Sequence, residues 1–82
     1  MWSKILDKEQ LYPDAIVRVV NNLNENIYTL EYRLVKWSDG EVMLEPLAIN
    51  NNQLKEEMRV RFTIAFEDLL KGQYEIESDF SL

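Results

Sequence analysis

The 82-residue sequence contains neither cysteine nor histidine. Their absence excludes disulfide bonds, metal sites built from Cys or His, thiol nucleophiles and the commonest general base of enzymes. No stretch approaches the roughly 20 apolar residues of a membrane-spanning helix, and residues 1–7 have no apolar run typical of a signal peptide. We therefore expect a cytoplasmic protein that does not cross a membrane, needs no cofactor and is not an enzyme.

Glycine and proline are scarce, with only two of each. No internal repeat, flexible linker or low-complexity tract divides the chain, so we predict a single domain over residues 1–82. A domain of this size buries roughly 60% of the surface that its unfolded chain exposes. That supports one modest core and leaves little room for a deep, walled pocket.

Acidic residues outnumber basic ones by fifteen to nine, which gives a net charge of −6. This charge repels nucleic-acid phosphates and anionic lipids, and it attracts basic partners at a rate that salt lowers. A charge of this size is also common in small domains simply because it keeps them soluble. We expect a protein partner, which is a basic one if the charge is functional, and no direct binding of nucleic acid.

Alternation of apolar and polar residues predicts a mainly β fold. The alternation is cleanest around Phe62, which we therefore predict to be a central core residue. Two asparagine-rich runs, Asn21–Asn26 and Asn50–Gln53, predict loops, because Asn tolerates left-handed backbone geometry. The predicted strands are Ala15–Val20, Ile27–Trp37, Glu41–Ile49, Met58–Phe66 and Tyr74–Glu77.

Two short helical segments are predicted beside these strands. Ser3–Leu11 has Ser3 as an N-cap and ends before Pro13, and Glu67–Gly72 ends at a glycine. Five strands with short connections and little helix to cover them satisfy their edges best by curling into a barrel. The predicted fold is thus a small five-stranded antiparallel barrel-like sheet with a short N-terminal helix, an architecture that resembles SH3-like barrels.

The turn between the second and third predicted strands fixes their register. A three-residue loop with Gly40 in left-handed geometry pairs Leu34 with Leu44 and Arg33 with Glu45. This register keeps one face of the hairpin apolar and matches opposite charges on the other. A two-residue turn places Leu34 opposite Glu45 and Lys36 opposite Met43, which mixes charge into the apolar face, so we prefer the three-residue loop.

That register places Val35, Trp37 and Met43 together on the face away from the core. Either the N-terminal helix covers them through Trp2, or they form an exposed binding patch. Interface cores favour Trp and Met. The leading hypothesis is a non-enzymatic interaction module, an adaptor or regulator, that binds a partner protein through Val35, Trp37, Met43 and Trp2 within an acidic rim.

The alternative hypothesis is an inhibitor whose acids imitate nucleic-acid phosphates and block a basic cleft. Salt separates the two hypotheses, because a mimic loses affinity at high ionic strength while an apolar contact changes little. The side-by-side cations Arg59 and Arg61 are expected to form cross-strand ion pairs with Glu75 or Glu77 rather than to bind phosphate. The acidic surface of the alternative consists of Glu67, Asp68, Glu75, Glu77 and Asp79.

Overall fold

The computed structural model describes residues 1–23 and 25–77, and over that part the chain is mainly β. Seven strands and one short α-helix are present in these residues, together with two single-turn 3₁₀ helices at Lys8–Gln10 and Glu56–Met58. None of the described helices is long and apolar enough to cross a membrane. The elements are β1 (Trp2–Lys4), β2 (Ile16–Leu23), β3 (Asn26–Trp37), β4 (Glu41–Ile49), β5 (Asn52–Gln53), β6 (Phe62–Ala65), α1 (Phe66–Lys71) and β7 (Glu75–Glu77).

All the strands belong to one antiparallel sheet in the order β1-β7-β2-β3-β4. The far edge of β4 is shared by β6, which pairs with residues 41–44, and by β5, which pairs with residues 48 and 49. Among the described residues no pairing joins β1 to β5 or β6, so these contacts leave the sheet open. The prediction of a mainly β antiparallel fold is confirmed, with seven strands instead of five.

The predicted N-terminal helix is wrong. Trp2–Lys4 instead forms a strand that pairs with Glu75–Glu77. A helix of nine residues is marginal in isolation, whereas β7 offers backbone hydrogen bonds along its open edge. Only one helical turn follows, and it is capped by Asp7, whose side chain accepts a hydrogen bond of 2.7 Å from the backbone NH of Glu9.

The core lies between the inner face of the sheet and α1. Every described residue that is buried is apolar. Helix α1 contributes Leu69, which joins the same core cluster as Val17 and Ile76. The largest fully buried side chains are those of Ile5, Leu34, Leu44, Leu69, Val17 and Val42.

The strand predicted over Met58–Phe66 is shorter than its sequence pattern suggests, because pairing with β4 begins only at Phe62. Met58 ends a 3₁₀ turn and is 56% exposed, and Val60 is 70% exposed. Phe62 is partly buried and packs against the core, where its ring and that of Tyr32 form an edge-to-face contact with their centroids 5.5 Å apart. The inward direction of Phe62 is confirmed, but the core is centred on β3 and β4.

The β3–β4 hairpin combines both registers considered from the sequence. The predicted pairs of Arg33 with Glu45 and of Leu34 with Leu44 are confirmed. Nearer the turn, Trp37 lies opposite Val42, so the additional residue is a bulge within β3. The prediction of left-handed backbone geometry at Gly40 is wrong, because no described glycine has a positive φ.

Candidate functional site

The outer face of the sheet, on the side away from α1, carries the candidate site. Adjacent strands place Lys36, Met43 and Thr63 in one row across β3, β4 and β6. Residues directly opposite each other in antiparallel strands project to the same side of the sheet. Because the flanking residues Val42 and Leu44 are buried, Met43 faces outward with its two neighbours.

An open depression of about 390 Å³, here called the Met43 cleft, lies at this end of the outer face. Met43 and Trp37 provide its apolar lining, and both side chains are partly exposed. Two hydroxyl groups and charged groups of both signs surround them. The lining residues are Lys36, Trp37, Ser38, Glu41, Met43 and Thr63.

The four residues predicted to form one apolar patch are only partly brought together. Met43 faces outward as expected, and Val35 is the half-buried bulge residue of β3. Trp37 packs against the core although it also lines the Met43 cleft, so the prediction that it lies on the face away from the core is wrong. The bulge at Val35 is the physical reason, because one extra residue reverses the side to which the following side chains project.

Trp2 lies elsewhere on the sheet. Its strand β1 is separated from Met43 on β4 by three intervening strands. The guanidinium of Arg18 stacks on the Trp2 ring at 4.1 Å and forms a 3.0 Å ion pair with Glu75. A guanidinium over an aromatic face is a favourable cation–π contact. Trp2 thus supports the far edge of the outer face and is not part of the Met43 cleft.

A network of charges is centred on Glu45, two residues beyond Met43 on β4. Its carboxylate accepts hydrogen bonds from Arg61 at 3.0 Å and from Arg33 at 3.4 Å, and Arg33 also binds Asp14 at 2.5 Å. Hydrogen bonds from Arg61 and Arg33 lower the pKa of Glu45, and bonds to Glu45 and Asp14 raise the pKa of Arg33. The predicted pairing of Arg61 with Glu75 or Glu77 is wrong, because β6 lies beside β4 and not beside β7.

The acids of the alternative hypothesis do not form one surface. Glu67 and Asp68 lie on α1, which covers the inner face, and Glu67 forms an ion pair of 2.8 Å with Lys71. Glu75 lies on the outer face, where it binds Arg18, and Glu77 is half-buried on the same strand. Asp79 lies outside the described residues. The sheet therefore separates the acids of α1 from those of β7.

A second cavity of about 280 Å³ lies on the same outer face, beside β5. The turn between β4 and β5 positions one wall, since Asn50 and Asn51 have φ values of 51° and 67°. The carboxamide oxygen of Asn50 fixes this turn by accepting a 2.8 Å hydrogen bond from the backbone NH of Thr29. The lining residues are Glu31, Leu47, Ala48, Asn51, Gln53 and Arg59.

Sequence reasoning missed the polar residues that complete both cavities. Lys36 and Thr63 belong to the Met43 cleft only through the register of three strands, and no local pattern indicates this grouping. Among the described residues no cluster of three or more Asp or Glu side chains is placed to hold a metal ion. Comparison with protein-family models, curated proteins and solved structures finds no match for the chain.

Proposed function

We propose that this protein is a non-enzymatic interaction module that docks on a partner protein through the Met43 cleft. The observation that carries the proposal is an open cleft on the outer face of the sheet, in which the outward-facing Met43 is surrounded by polar and charged residues. Exposed methionine adapts its shape to a partner, and Met and Trp are enriched in interface cores. A cleft of about 390 Å³ has room for an apolar side chain and part of the segment that carries it.

The chemistry of the outer face supports binding rather than catalysis. Its central carboxylate, Glu45, receives two guanidinium groups that keep its pKa below the ordinary value of 4.5. A general acid needs a raised pKa, and a general base works best when its pKa lies near the operating pH. Glu45 therefore acts as a fixed anion that holds Arg33 and Arg61 in place beside the cleft.

The charge around the cleft favours a partner with basic residues next to its apolar anchor. Glu41 lines the cleft, Asp39 is exposed in the adjoining turn, and the chain carries a net charge of −6. Such a field steers basic surfaces toward the protein and speeds their association. We propose further that the protein is a cytoplasmic adaptor or regulator and that its sheet curves as in SH3-like barrels.

Two matched methionine variants test the proposal. Partners captured from host extract are titrated against the native protein, Met43→Ala and Met58→Ala, at low and at physiological salt. Loss of a central apolar anchor typically costs about 2 kcal/mol, which corresponds to roughly thirtyfold weaker binding for Met43→Ala. Met58 is exposed but does not line the cleft, so its variant should bind within about twofold of the native protein.

Equal binding by the two variants would show that the Met43 cleft is not the docking surface. If salt abolishes binding and Glu67→Lys weakens it while Met43→Ala does not, the acidic-mimic alternative replaces the proposal. Melting curves of all three variants are measured first, so that a loss of fold is not mistaken for a loss of contact.

A further inference from the structure

The second cavity combines two opposite charges in one small space. Arg59 and Glu31 both line the cavity of about 280 Å³ beside β5. No ion pair joins them in the described part of the chain, so a gap separates the guanidinium from the carboxylate. The two carboxamides of Asn51 and Gln53 lie on the same lining and can each donate and accept hydrogen bonds.

Arg59 is held in position without being neutralised. Its Nε donates a 3.0 Å hydrogen bond to the backbone carbonyl of Leu54, and the residue is half-buried. Within residues 1–23 and 25–77 no carboxylate forms an ion pair with it. A guanidinium fixed through Nε keeps its two terminal NH₂ groups, which can still bind one carboxylate.

Glu31 is similarly available. Its cross-strand neighbour is Arg18, but the guanidinium of Arg18 binds Glu75 on the other side. In the described residues no cation forms an ion pair with Glu31, which is half-buried. The carboxylate can therefore accept hydrogen bonds from an ammonium group that enters the cavity.

We propose that this cavity binds the zwitterionic group of a free α-amino acid. The carboxylate of the amino acid binds Arg59 and its ammonium binds Glu31. The side chain of the amino acid lies over Ala48, which is 7% exposed. An open cavity of about 280 Å³ has room for the compact head group of an amino acid, whose carboxylate and ammonium are bonded to one carbon.

The charge of the protein favours a zwitterion over other ligands with the same polar groups. A chain with a net charge of −6 repels nucleotides and other anions, whereas a zwitterion carries no net charge. This binding activity is separate from the Met43 cleft and does not depend on a protein partner. The two cavities share no lining residue.

Ligand analogues test the proposal on the native protein. L-Leucine and L-glutamine are titrated to about 10 mM, a range that detects millimolar affinity, while NMR follows the Ala48 methyl and the Asn51 and Gln53 amides. Saturable shifts are expected with at least one of the two. N-acetylation, which removes the ammonium, and conversion to the amide, which removes the carboxylate, should each weaken binding at least tenfold.

Variants then assign the two charges. Glu31→Gln keeps the shape of the side chain and should weaken amino-acid binding at least tenfold, as should Arg59→Gln in a protein with an unchanged melting temperature. Glu67→Gln, on α1 and outside the lining of both cavities, should bind the amino acid like the native protein. The proposal is overturned if neither amino acid shifts these signals, or if the acetylated and amidated analogues bind as well as the parent amino acids.

Discussion

Trp37 lies directly opposite Val42 in the β3–β4 hairpin, although Leu34 lies opposite Leu44 in the same pair of strands. Two residues separate Leu34 from Trp37, whereas one separates Val42 from Leu44. The bulge at Val35 absorbs the difference. As a result the indole of Trp37 projects to the side of the fully buried Val42 and packs against the core.

Trp37 and Met43 should therefore differ in their effect on stability. Trp37→Ala removes a partly buried indole and should lower the free energy of unfolding by about 2–3 kcal/mol, less than the full cost of a buried aromatic. Met43→Ala should change it by less than about 1 kcal/mol, because its side chain faces outward. Urea denaturation measures both values. A loss below about 0.5 kcal/mol for Trp37→Ala would show that the indole faces solvent.

Leu44→Ala should cost more than Phe62→Ala, despite the larger side chain of phenylalanine. Leu44 is completely buried, and truncating such a leucine typically costs about 2–5 kcal/mol. Phe62 is partly exposed, so its truncation removes less packing, including one edge contact with Tyr32 that is worth about 1 kcal/mol. The reverse order in denaturant melts would place the centre of the core at β6.

Alanine substitutions at the two glycines should differ in their effect on the free energy of unfolding. A Cβ at Gly72 would lie 2.6 Å from a ring carbon of Tyr74 and 3.2 Å from the backbone oxygen of Asp68, so Gly72→Ala should cost about 1–3 kcal/mol. At Gly40 a Cβ meets nothing within 4 Å and φ is not positive, so Gly40→Ala should lie within about 0.5 kcal/mol of the native protein. Thermal melts compare the pair directly.

The pH dependence of stability should report on Glu45. Its pKa in the folded protein lies below the ordinary value of 4.5, so the ionised form is favoured by folding. This contribution is fully present above pH 4.5 and is lost as the pH falls through the lowered pKa. The difference in unfolding free energy between the native protein and Glu45→Gln should therefore shrink on acidification.

Glu67→Gln provides the control for this experiment. Glu67 forms an exposed pair with Lys71 on α1 and is not part of the Glu45 network. Exposed pairs of this kind contribute little to stability. An equal dependence on pH in both variants would mean that the two arginines do not stabilise the Glu45 carboxylate in particular.

The sequence predicted the central hairpin well because its pattern is local. Alternation of apolar and polar side chains defined Glu41–Ile49 at its observed bounds, and charge matching paired Arg33 with Glu45. The bulge at Val35 escaped prediction, since Val35 carries no local signal such as glycine. Without the bulge, Trp37 was assigned to the wrong face.

The prediction for the N-terminal segment failed for a different reason. Trp2, Ile5 and Leu6 fit one face of a helix, but helical spacing over nine residues contributes little energy by itself. Pairing with β7, more than seventy residues away in sequence, decided the strand. Likewise β5 lies in an asparagine-rich run that was predicted to be a loop, and it exists because Ala48 and Ile49 provide a pairing edge.

Composition and periodicity by themselves determined a small, acidic, mainly β domain, because burial of alternating apolar side chains needs no knowledge of which strands meet. Only the tertiary structure decided which side chains share a cavity. Lys36 and Thr63 flank Met43 through pairings between distant strands, and the fold brings Arg59 and Glu31 to one cavity. Those pairings depend on where each strand finds a free edge and on where a bulge shifts the register, and both are properties of the assembled sheet.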